Sequence, residues 1–212
     1  MEKIYKNKRD LINSLIGTED VVLDVGFWGQ GVKKNKENWV HGLLMERARE
    51  VYGLDTDFEE NTLDHPARYK KSSAENFDFE NKFDVILAAD VIEHLSNPGM
   101  FLRSCARNLK PDGRLIITTP NCFNLFNIAE KFSKDEPTVN KDHTCYFNYK
   151  TLKYLLEKND FTAEGPSFLY SLDIDFKESI KKKILNFIYY IFSKFTPKFI
   201  ETVVVCAKKS NF

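Results

Sequence analysis

The chain has 212 residues, 42% of them hydrophobic, enough to bury one α/β core and few for two, so a single domain over residues 1–212 is expected. Lysine plus arginine (31) balance aspartate plus glutamate (31), which leaves no overall attraction for a polyanion and disfavours nucleic acid as a partner. Cys105, Cys122, Cys145 and Cys206 form no C-x-x-C pair, the opening Met1–Arg9 is charged, and no apolar run approaches the roughly 20 residues of a membrane span, so a cytoplasmic setting is expected.

Ile4, Leu11, Ile12, Leu15 and Ile16, ending at Gly17, predict an amphipathic helix over residues 2–16. Val21-Val22-Leu23 predicts a strand that breaks into a glycine-rich loop, and Val51–Leu54 predicts the next, with a helix around Asn38–Arg49 between them. Phe83–Ala89 and Arg114–Thr119 are nearly continuous apolar runs, as parallel strands covered on both faces require. The helix between them has Asn97 as cap, Pro98 in its first turn, Phe101, Leu102, Cys105 and Leu109 on one face, and Pro111-Asp112-Gly113 as its exit turn. Asn148–Lys158 repeats the helical pattern, and Phe168–Tyr170 and Thr202–Cys206 predict the last strands. The alternation describes one doubly wound, mostly parallel α/β sheet, expected to have seven strands with the last antiparallel, and a helical insertion at about 172–200.

In such a sheet a ligand sits beyond the carboxyl ends of the strands, where Gly26, Gly29 and Gly31 permit close approach to the backbone. The order is G-x-x-G-x-G with Asp24 ahead of it, whereas a pyrophosphate site wants G-x-G-x-x-G and no carboxylate. An acid there suits a ligand with an ammonium and a sulfonium. Asp55 closes the second strand, where a carboxylate can accept both hydroxyls of a ribose.

These residues resemble the class I S-adenosylmethionine-dependent methyltransferases: Val21–Gly26 is similar to their first motif and Val51–Asp55 to their second. Phe83–Ile86 leading to Asp90–Leu95, then Leu109–Leu115, Thr119-Pro120-Asn121 and Asp142-His143, is similar to the ubiquinone-biosynthesis O-methyltransferases and relatives in cell-envelope glycan pathways. The resemblance implies a Rossmann-like fold and S-adenosyl-L-methionine as cofactor, held by Asp24, Gly26, Phe27, Gly29, Gly31, Asp55, Thr56, Ser73, Ala74, Glu75 and Ala89. Against the family's D-x-G-x-G-x-G, the loop carries one extra residue, Phe27-Trp28 standing where one is expected. Ser73 stands where relatives often place an aspartate against adenine.

Asp90, Glu93 and His94 follow a strand's carboxyl end at i, i+3, i+4 spacing, which predicts one helical turn facing the cofactor. Asp90 or His94 would be a base there, or the trio would ligate a divalent ion, or Glu93-His94 would simply anchor the turn. His143 is the preferred base, with Asp142 to orient it, and His41 is placed to reach the cofactor from the lengthened loop. The expected acceptor is a small molecule, a sugar or a lipid-linked glycan. Residues 181–198 are apolar nearly all round between lysines, which suits a lid, a dimer contact or a peripheral contact with the inner face of the membrane. The other readings are a nicotinamide-dependent oxidoreductase on the same sheet and a non-catalytic cofactor-binding protein.

Overall fold

The computed structural model of the protein describes residues 2–29, 39–59, 65–132, 135–137, 139–170 and 195–210, together with 189, 191 and 193. The first segment forms a strand, β1 (Lys3–Tyr5), and then a helix, α1 (Lys8–Leu15), rather than one helix. Asn7 divides them: its side chain accepts the Asp10 N–H at 2.8 Å and so starts the helix there, while Ile4 pairs beside Phe168. The chain continues through β2 (Val21–Val25), α2 (Val40–Arg47), β3 (Glu50–Asp55), β4 (Tyr69–Lys71), β5 (Phe83–Ala89), α3 (Pro98–Asn108) and β6 (Leu109–Pro120). Then follow α4 (Leu125–Lys131), α5 (Tyr149–Glu157), β7 (Phe161–Ala163), β8 (Ser167–Leu169) and β9 (Thr202–Lys209).

Among the described residues nine strands form one sheet in the order β1, β8, β9, β6, β5, β2, β3, β4, with β7 also on β9. Only β9 runs antiparallel to its neighbours, and it lies inside the sheet between β6 and β8. The sheet is doubly wound as expected and wider than the seven strands anticipated, because β1, β4 and β7 are three-residue strands with no apolar run of their own. The described residues of the expected insertion are few, and 172–188 lie outside the described residues.

Alternation along each strand divides the core into two layers. Leu23, Ile86, Leu115 and Val205 face α3 and α5, meeting Phe101, Leu102, Leu152 and Leu156. Their neighbours Val22, Val85, Leu87, Ile116 and Val204 face α1 and α2, meeting Leu11, Ile12, Leu43 and Leu44. The exit turn after α3 is absorbed into the start of β6: Leu109 pairs with Phe83 and Arg114 with Val85, so Lys110–Gly113 bulge out opposite Asp84. A Cβ on Gly113 would stand 2.9 Å from the Phe83 carbonyl oxygen, so a glycine is needed where the bulge closes.

Candidate functional site

The carboxyl ends of β2, β3 and β5 open on one cleft of about 830 Å³. After Val25 the backbone turns through Gly26 and Gly29, both at positive φ (77° and 66°), and the Gly26 N–H is held by the Leu54 carbonyl at 2.7 Å. A Cβ on Gly26 would lie 2.7 Å from Val91 Cγ2, so this wall of the cleft exists only with glycine. Asp55 stands beside it at the end of β3. One carboxylate oxygen accepts the Trp28 N–H at 3.0 Å and the other accepts the Thr56 and Asp57 N–H groups at 2.7 and 3.3 Å. Oδ2, with a single donor, keeps its second lone pair, so a hydroxyl donor can still be accepted there.

Of the residues expected to hold the cofactor, Gly26, Gly29, Asp55, Thr56, Ser73, Ala74 and Ala89 line this cleft, and Gly31 lies outside the described residues. Asp24, Phe27 and Glu75 are placed elsewhere. Asp24 is 2% exposed, with its carboxylate 3.0 Å from His41 Nδ1, because residues of a strand buried on both faces cannot all point to the cleft. Phe27 turns inward among His41, Phe58 and Tyr69, which is how the extra loop residue is accommodated, and Trp28 takes its place in the cleft. Glu75 accepts the Asn97 N–H at 2.7 Å and so fastens the start of α3. His41, expected to reach the cofactor, is fully buried in α2.

Asp90, Glu93, His94 and His143 all line the cleft, although not as one helical turn. Asp90 adopts positive φ (56°), stabilised by the Thr118 hydroxyl at 3.1 Å, and precedes the separate 3-10 turn Ile92–His94. Glu93 is 1% exposed; its Oε2 accepts the Thr119 hydroxyl at 2.9 Å and its Oε1 has no partner among the described residues. Burial, and secondarily the charge of Asp90, pushes its carboxyl up to about 7. The Glu93 carbonyl accepts the Thr144 and Cys145 N–H groups at 2.8 and 3.2 Å, and this anchor brings the loop carrying His143 to the turn.

His143 meets His94 edge to face, with ring centroids 4.7 Å apart. Asp142 reaches His94 rather than His143, through its backbone carbonyl 3.2 Å from Nδ1. Burial and then the neighbouring His94 lower the His143 pKa, with Asp90 and Asp142 pulling the other way. Glu93, His94 and His143 bring one donor atom each within 4.8 Å of one another, so the donor set that a divalent ion would use includes His143 and not Asp90.

Trp28, one of the two residues that lengthen the loop, and Lys8, which has no signal of its own in the sequence, also line the cleft. Lys8 belongs to a basic run that reads as a solvated face; only the Asn7 cap signals that it begins a helix, and its Nζ stands 3.7 Å from Asp90. Beyond Glu93 and His143 the cleft passes into an inner pocket of about 220 Å³ and, sharing Cys122, Asn127 and Tyr146, into an apolar groove of about 410 Å³ with Phe123, Ile128 and Phe132.

Residues 14–164 match the family model described as a methyltransferase domain. The chain is 32% identical over 135 residues to a "probable S-adenosylmethionine-dependent methyltransferase" of Mycolicibacterium smegmatis, spanning 60% of this chain and 49% of the relative. It is 40% identical over 53 residues to a ubiquinone biosynthesis O-methyltransferase of Bradyrhizobium diazoefficiens, spanning 25% of this chain and 21% of the relative. These relatives are thus spanned over half of their length or less. In the solved 1,6-didemethyltoxoflavin-N1-methyltransferase of Burkholderia thailandensis, with bound S-adenosylhomocysteine, the fold matches with TM-score 0.59 at 18% identity, over 96% of this chain and 77% of that one.

Proposed function

Because the chain belongs to the family of methyltransferase domains, we propose that it moves the methyl group of S-adenosylmethionine to a hydroxyl of an acceptor with an apolar body. The observation that carries this reading is the glycine-walled cleft with Asp55 at its rim, continuous through Glu93 and His143 with an apolar groove. S-adenosylmethionine, when bound, supplies an electrophilic methyl group on a sulfonium. Asp55 would accept a ribose hydroxyl, Ser73 and Ala74 would meet the adenine, and Lys8 offers a cation to the carboxylate. The absence of a side chain at Gly26 leaves room for the ligand to press against backbone.

At the acceptor end, much of the acceleration comes from alignment in a water-poor site, with a base needed to take the hydroxyl proton. His143 would be that base, its imidazole taking the hydroxyl proton as the methyl–sulfur bond gives way to a methyl–oxygen bond and S-adenosylhomocysteine is left. A lowered pKa keeps the imidazole neutral, and so able to accept, at neutral pH. The groove walls, Phe123, Phe132 and Tyr146, favour an alkylated or aromatic acceptor over a free sugar.

Labelled methyl transfer tests both parts. S-adenosylmethionine should label a 4-alkylphenol more readily than a free hexose; label on the hexose alone would remove the groove from the acceptor site. Calorimetric titration should show S-adenosylhomocysteine binding that Asp55→Ala weakens at least about 10-fold, the size of one lost hydrogen bond to a charged group. Binding of NADH in its place would return the oxidoreductase reading.

A further inference from the structure

We infer that His41 is a positioning residue of the cofactor cleft, holding Asp24 and the lengthened glycine turn in the shape that lets Asp55 and Trp28 face the ligand. The inference rests on the cleft being the cofactor site and adds a residue that does not touch the ligand.

His41 is completely buried and joins separate elements: Nδ1 lies 3.0 Å from Asp24 Oδ2 at the end of β2, and Nε2 lies 3.0 Å from the Tyr69 hydroxyl at the start of β4. A neutral imidazole satisfies both contacts, with Nδ1–H donating to the carboxylate and Nε2 accepting from the tyrosine O–H. Burial pushes the Asp24 carboxyl up and the hydrogen bond from His41 opposes that shift, so the imidazole is what makes an acid tolerable at this depth.

The same ring forms one side of the seat for the extra loop residue. Phe27 packs with its ring centroid 4.9 Å from both His41 and Tyr69, and its carbonyl accepts the Trp39 indole N–H at 3.1 Å. Gly53 makes room for this packing, since a Cβ there would stand 2.6 Å from both the Phe27 and the Tyr69 ring. With Phe27 held inward, the next backbone N–H, that of Trp28, falls on the Asp55 carboxylate at 3.0 Å. His41 therefore acts at one remove: it fixes Asp24 and Phe27, and their placement fixes the two groups that face the cleft.

Two near-isosteric variants separate positioning from bulk. His41→Asn places an amide N–H near the Nδ1 position and keeps the donor to Asp24; His41→Gln places its amide near Nε2 and loses that donor. Each is titrated with S-adenosylhomocysteine, and the ligand-free melting temperature is recorded alongside. His41→Gln should bind about 10-fold or more weakly than the parent and His41→Asn within about 3-fold, the gap expected of one hydrogen bond to a charged group. Equal affinity in both variants, or losses that follow the melting temperature alone, would overturn the inference. Where His41→Gln does not fold, Tyr69→Phe serves, with about 5-fold weaker binding expected from losing one neutral hydrogen bond, and unchanged affinity counting against the inference. Asp55→Ala is the control: undiminished binding there would overturn the cleft assignment and this inference together, whereas undiminished binding in His41→Gln overturns this inference alone.

Discussion

Two titrating groups line the inner pocket together, and burial moves them in opposite directions: the Glu93 carboxyl up to about 7 and the His143 imidazole down. For His143 as base, turnover requires the neutral imidazole, so the acid limb of the rate profile should lie below the ordinary histidine value of 6.5. His143→Ala should lower kcat on a 4-alkylphenol by about 100-fold or more while S-adenosylhomocysteine still binds; near-normal kcat would remove the assignment. For Glu93, the native carboxyl holds its proton to higher pH than the unfolded one at 4.5, so stability is fully present below about 4.5 and is lost as pH rises through about 7. Relative to Glu93→Gln, the parent should lose about 3 kcal/mol between pH 4 and pH 8 in urea denaturation, and parallel curves would refute the raised value. The residues here were legible in the sequence as chemical types. Their partners were not: Glu93 meets Thr119 and the Thr144 loop through chain reversals that spacing does not encode.

Local signals carried the elements unevenly. Asn97 caps α3 as the sequence indicates, and Asn148 caps α5 through a full capping box with Thr151. Asn148→Ala should therefore cost about 1 kcal/mol and lower the melting temperature by about 2–4 °C, read by circular dichroism; no change would mean that packing of Leu152 and Leu156 alone holds the helix. The central strands were readable because burial on both faces demands unbroken apolar runs. The edge strand β4, Tyr69-Lys70-Lys71, was not, because its half-buried and exposed positions carry no period and its pairing with β3 defines it. The opening helix begins later than its apolar spacing predicts for a related reason: Ile4 fits the spacing of Leu11 and Leu15 by coincidence, and pairing with β8 makes it part of a strand.

At the scale of the whole molecule, strand order converts separated motifs into one site. Parallel β3, β2 and β5 end side by side, which brings Asp55, Gly26 and Ala89 to the same cleft. Since that cleft includes Trp28, one of the chain's 2 tryptophans, S-adenosylhomocysteine should change tryptophan fluorescence in the parent and not in Trp28→Phe; an unchanged response in the variant would move the ligand elsewhere. Among the described residues no helix is long and apolar enough to cross a membrane, and the apolar stretch expected at 181–198 is described only in part, with Tyr189 buried against Phe126 and Phe195 largely exposed.

By itself the sequence determined the doubly wound sheet, the glycine turn, Asp55 and the family, because these are written in short-range patterns: apolar periodicity, caps, and glycines where a side chain would collide. Tertiary structure alone decided that Asp24 faces His41 instead of the cleft, that Phe27 turns inward and Trp28 outward, and that His143 comes to Glu93 and His94. A residue's chemistry is carried in the chain, but the direction in which it points is set by contacts between segments far apart in it, and at a ligand cleft direction decides function.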